Sequence, residues 1–167
     1  MPRRDYILSL IEQAGQFFRA ISAERESGQP DMAIQTVIGS IEKLFGLTVS
    51  DLTSLDVDSL FDQLTREENA GMARDKCLVF AELNNQAGLA FAEKDLPALA
   101  QPAFHLALVF ALKALTAYPR AGLPPFAPDV ALLRYHLEGF DLPESTLGLL
   151  AQYERSLAPA GPTAGKG

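Results

Sequence analysis

The chain has 167 residues, 48% of them hydrophobic and 21% charged. These are the proportions of one globular domain, and they exclude a disordered or fibrous chain. With 14 Lys and Arg against 21 Asp and Glu, the formal net charge is −7. Such a chain repels phosphate backbones and gains nothing from counterion release, so nucleic-acid binding is set aside.

Residues 4–26 are predicted as an amphipathic helix. Ile7, Leu10, Ile11, Ala14, Phe17, Phe18 and Ile21 recur at helical spacing, with Glu12, Gln16 and Arg19 on the other side. Gly28 suits a left-handed cap after it. A second helix over 30–45 has Pro30 and Asp31 in its first turn and a stripe of Ile34, Val37, Ile38, Ile41, Leu44 and Phe45, and Gly46 ends it. Thr48-Val49-Ser50-Asp51 reads as a capping box before a short helix. Residues 56–66 read as another, burying Val57, Leu60, Phe61 and Leu64, and Glu67-Glu68-Asn69 is a polar break.

A long helix over 70–94 follows, with Cys77, Phe80, Leu83, Ala87, Ala90 and Phe91 inward. Asp95 is predicted to N-cap the next helix, which has Pro97 in its first turn and Pro102 in its second and stops before Pro119. That helix is apolar nearly all round from Ala103 to Leu115. It is therefore either the centre of the fold or covered by a second copy, which makes a homodimer a candidate assembly. Residues 119–128 form a Pro/Gly-rich connection. Pro128-Asp129 opens a helix carrying Val130, Leu133 and Leu137. Asp141 and Glu144 are placed for a capping box on a last helix carrying Leu147, Leu150 and Leu157. Residues 158–167 are expected to be a mobile tail. No segment alternates with period two for long enough to make a strand. The fold class is all-α, with about seven helices in a single domain over 1–157.

The hairpin over 84–107 places small residues at Gly88, Ala100 and Ala107 and aromatics at Phe91 and Phe104. This spacing resembles a tetratricopeptide repeat, with Pro119 two turns later than the repeat's proline. The first hairpin matches less well, through Phe17, Ala33, Val37 and Ser40, and Ile21 stands where a small residue is expected. Residues 47–69 separate the two units without the pattern. Arg4-Asp5-Tyr6-Ile7 followed by Ile11-Glu12-Gln13 opens a stretch, roughly residues 4–118, that resembles a family of uncharacterised bacterial proteins of tetratricopeptide-like fold, a domain of unknown function. The resemblance implies a fold and supplies no catalytic residues. By analogy with tetratricopeptide domains, whose first helix of each pair lines the concave face, Glu82, Asn85, Leu89 and Glu93 would face a partner-binding groove. Leu89 stands where some such domains carry an asparagine that grips a peptide's terminal carboxylate.

The chemical motifs are few. The single cysteine, Cys77, excludes an intramolecular disulfide and reads as a buried, inert thiol in a reducing, cytoplasmic setting. His105 lies between Phe104 and Leu106, as a core or interface histidine would. His136 and Glu138, two apart, point to different sides of a helix and cannot share a metal. CxxC, HExxH, GxSxG, P-loop and GxGxxG patterns are absent, and Asp51–Asp62 lacks the EF-hand order of ligands. No signal peptide is read at the start. The longest unbroken apolar run, Leu106–Leu112, falls far short of a membrane span of about 20 residues. Asn84-Asn85-Gln86 is unusual inside a helix and serves either a partner's backbone or a local brace. The expectation is a non-enzymatic interaction module that binds a protein or peptide and needs no cofactor or metal. The alternatives are a small-molecule binder or enzyme with an interhelical pocket near His105, with His136 and Tyr135 available, and a structural subunit that docks through its acidic surface.

Overall fold

The computed structural model describes residues 2–157, with side chains from Ser9 onward. It contains eight helices and no strand among the described residues: α1 Pro2–Glu26, α2 Pro30–Phe45, α3 Val49–Ser54, α4 Val57–Thr65, α5 Ala70–Glu93, α6 Pro97–Ala117, α7 Val130–His136 and α8 Glu144–Leu157. The expected tail at 158–167 lies outside the described residues.

Local chemistry sets most of the boundaries. Gly28 (φ 72°) and Gly46 (φ 69°) take the left-handed conformation that closes α1 and α2. Thr48 and Asp51 form the capping box of α3. Asp56, Asn69 and Asp129 each accept a backbone N–H at the start of α4, α5 and α7.

Three expectations are corrected. Asp95 does not cap α6; it sits at φ 58° and closes α5 instead. The Leu96 N–H reaches the Phe91 carbonyl and the Asp95 N–H that of Ala92, which is the Schellman arrangement, so Leu96 precedes Pro97 without a side-chain cap. The box expected at Asp141 and Glu144 is not formed; the Thr146 and Leu147 N–H groups both donate to the Pro143 carbonyl. On α8 the buried residues are Thr146 and Leu150, whereas Leu147 and Leu157 are half exposed.

α1 and α2 form one helical hairpin, and α5 and α6 form a second, more extensively packed one. The hairpins join through α2 and α1 against α5. α4 covers another side of α5, and α7 and α8 cover α6. An aromatic chain runs through the junction: Phe45 of α2 meets Phe80 of α5 (ring centroids 6.0 Å apart), Phe80 meets Phe110 of α6 (4.6 Å), and Phe110 meets Phe61 of α4 (6.2 Å). Phe80 and Phe110 are fully buried. Within the second hairpin, a Cβ at Gly88 would stand 2.6 Å from two ring carbons of Phe104, so only glycine permits this approach.

The covering of α6 by α5, α7 and α8 accounts for its apolar surface within one chain, and the argument for a homodimer loses that footing. α6 is also long and apolar enough to cross a membrane by length and composition, but 56% of that stretch is buried inside the fold. Cys77 is fully buried, and burial pushes its thiol up to about 12.

Candidate functional site

Glu82, Asn85, Gln86 and Leu89 recur at helical spacing on one face of α5. That face does not look onto open solvent. The connection over 119–128 folds back across it as a strap, carrying four prolines in ten residues: Pro119, Pro124, Pro125 and Pro128. Pro124 and Pro128 are buried, and Phe126 is half-buried against Phe18 of α1, ring centroids 5.1 Å apart. Between strap and helix lies a cavity of about 360 Å³. Glu82, Asn85, Gln86 and Leu89 form one wall; Pro125–Asp129, Leu132 and Leu133 form the other.

The hydrogen bonding of this face is incomplete. The Asn85 amide N–H donates to Glu82 Oε1 (3.1 Å), and the Gln86 amide donates to Glu82 Oε2 (2.7 Å). Those bonds fix the Asn85 flip, because the reverse would set its oxygen against a carboxylate. Asn85 is 9% exposed, and its Oδ1 is buried with no hydrogen-bond partner. An orphaned acceptor of this kind costs about 1–3 kcal/mol. Burial pushes the Glu82 carboxyl above its ordinary value, against the opposing pull of the Gln86 and Asn85 amides and the Arg25 charge.

Glu93 is separate from this group. Arg25, in the last turn of α1, pairs with it at 2.7 Å and donates to Gln86 Oε1 at 3.0 Å, so Glu93 ties the two hairpins together. Asn84 is also a brace: its amide donates to the Phe80 carbonyl at 2.9 Å inside α5. Of the four residues expected to face a partner, Glu82, Asn85 and Leu89 share the cavity and Glu93 does not.

Two contributors were missed by sequence reasoning. The strap has no periodicity to reveal where it docks. Arg74, read only as part of a helix, is 8% exposed and pairs with buried Asp75 at 2.9 Å. Its guanidinium also donates to the carbonyls of Pro119 (2.9 Å), Ala121 (2.7 Å) and Gly122 (3.1 Å), anchoring the first half of the strap. The only available signal was an Arg-Asp pair within one helical turn of Cys77, beside the apolar run Cys77–Ala81.

A second concavity, about 410 Å³, lies between α4, α6 and α8 and is lined by His105, Lys113, Asp56, Asp58, Ser145 and Thr146 with apolar neighbours. His105 Nε2 shares a 2.8 Å hydrogen bond with the buried Thr146 hydroxyl, and burial lowers the imidazole pKa below 6.5, favouring the neutral ring. Lys113 lies 3.4 Å from Asp58 and 4.9 Å from the Phe61 ring centroid. His136 is elsewhere, stacked on Phe104 with centroids 4.6 Å apart, and Tyr135 is 68% exposed on α7. The three side chains on which a catalytic reading rested therefore do not converge.

No group of three or more His, Cys, Asp or Glu able to hold a metal ion occurs among the described residues. No protein-family model matches the chain, and no curated protein and no solved structure matches it.

Proposed function

We propose that this chain is a non-enzymatic interaction module of tetratricopeptide-like build, binding a short peptide segment of a protein partner on the α5 face that the strap overlies. The resemblance to the bacterial tetratricopeptide-like family belongs to this reading, as does a cytoplasmic setting for a chain whose only cysteine is buried. The observation that carries it is the orphaned Asn85 Oδ1 on a cavity wall shared with Glu82 and Leu89. A peptide supplies the missing element, a backbone N–H to donate to that oxygen. Leu89 and Leu132 offer apolar contact for its side chains. The close Gly88–Phe104 contact supports the repeat-like build, since it joins the small and aromatic positions of the resemblance.

The test is selection of binders from a random peptide library on the folded chain. The selected peptides are then titrated against Asn85→Ala and Leu132→Glu variants. Leu132 is half exposed, so its substitution leaves the core intact. At least a tenfold loss of affinity in both variants supports the reading; affinity unchanged in both overturns it. The His105 cavity favours a second reading, a small-molecule site. In that case His105→Ala alone abolishes binding of compounds recovered from a ligand screen.

A further inference from the structure

The strap is held unevenly. Its first half carries the three Arg74 bonds and a bond from Arg120 Nε to the Leu115 carbonyl at 3.0 Å. From Leu123 to Pro128 the sole backbone hydrogen bond is Ala127 N–H to the Pro124 carbonyl, at 3.1 Å. Three of those six residues are prolines with no N–H to donate. This half stays in place through apolar contact, chiefly Phe126 on Phe18, and leaves the cavity unfilled beneath it. A segment with few hydrogen bonds over incompletely packed space belongs to the low-stability end of a fold and opens first.

We infer that Leu123–Pro128 is a ligand held in cis, and that its seat, from Phe18 of α1 to the Glu82–Leu89 face of α5, is a groove that takes a proline-rich peptide with an aromatic residue from a partner protein, in competition with the strap. The inference rests on the interaction-module reading and names its partner class. The occupant's chemistry is read from what the groove already accommodates: buried prolines and a phenyl ring on Phe18. Prolines are suited to this because their backbone is already restricted, so docking costs little entropy. A peptide supplied in trans can also place a non-proline N–H at Asn85, which the strap fails to do.

The probe is a fluorescein-labelled synthetic peptide of residues 121–129, measured by anisotropy against the full chain. Phe126→Ser removes the ring that anchors the strap, and Arg74→Lys keeps a cation beside Asp75 while losing the bridge to three carbonyls. Folding is checked by circular dichroism. The expected result is that each folded variant binds the peptide at least tenfold more tightly than the unaltered chain. Adding Phe18→Ala to Phe126→Ser should remove that gain, and a scrambled peptide should not bind. Folded variants that bind no better than the unaltered chain overturn the inference. Failure of both variants to fold also overturns it, by making the strap integral. Dimerisation by strap exchange without peptide uptake assigns the groove to a second copy and overturns the partner class. Library peptides that need Asn85 but lack proline and aromatic residues overturn this inference and leave the interaction-module reading standing.

Discussion

Replacing Gly88 by alanine gives a substitution whose usual sign is reversed by one contact. In a helix interior, glycine to alanine ordinarily stabilises by about 0.5–1 kcal/mol, because the backbone loses less freedom on folding. At Gly88 the new methyl would lie 2.6 Å from two Phe104 ring carbons and 2.9 Å from a third. The ring cannot yield freely, since it is stacked on His136 and almost fully buried. Overpacking of this kind costs about 1–3 kcal/mol. Taking about 2 kcal/mol for the clash and about 1 kcal/mol for the helix gain leaves a net destabilisation of about 1 kcal/mol. For a chain of this size that is a fall in Tm of about 2–4 °C. Gly39, in the middle of α2 with nothing within 4 Å of an added Cβ, is the internal control. Gly39→Ala should raise Tm by a similar amount, and thermal melts followed by circular dichroism separate the two signs. If Gly88→Ala raises Tm as Gly39→Ala does, the close packing of α5 on α6 is wrong.

Arg74→Met should cost about 3–5 kcal/mol in urea unfolding, because it leaves the buried Asp75 carboxylate without its cation and three strap carbonyls without a donor. Removing Asp75 as well, in Arg74→Met/Asp75→Leu, should recover part of that loss. Glu82 ionises more readily in the unfolded chain, so its contribution to stability is present at low pH and is lost as pH rises past its ordinary value of 4.5. Glu82→Gln should flatten that part of the stability–pH curve, and an unchanged slope would contradict the burial of the carboxyl. His105 has the opposite sign: burial favours its neutral ring, so the fold is more stable above pH 6.5 and weakens as pH falls below it. His105→Gln should reduce the weakening. Thr48→Ala removes the N-cap oxygen of α3 and should cost about 1 kcal/mol by chemical denaturation.

The helix boundaries most legible in the sequence are those with strong punctuation. Pro30 and Gly46 bracket α2, and Pro119 bounds α6, because proline and glycine restrict the backbone whatever the tertiary context. Asp95 misled because the same short side chain that caps a helix start also tolerates the left-handed turn that ends one. Leu147 and Leu157 fit a helical stripe, but α8 lies at the edge of the fold, where it fully buries Thr146 and Leu150 and packs Leu149 and Tyr153 partly against the core. Glu82, Asn85 and Leu89 were readable as one face from spacing alone. What covers them was not, because a proline-rich connection carries no periodic signal and its docking depends on Arg74, 45 residues before Pro119, and on Phe18, 108 residues before Phe126. The role of Glu93 was hidden for the same reason: its partner Arg25 comes from another hairpin.

The most direct test of the central claim is an NMR titration of the methyl- and amide-labelled chain with a library-selected peptide. The account predicts that the Asn85 side-chain amide and the methyls of Leu89 and Leu132 shift together, while Thr146 beside His105 stays fixed. Shifts clustered on Thr146, Val109 and Leu149 with Asn85 unmoved would contradict it and assign binding to the His105 cavity.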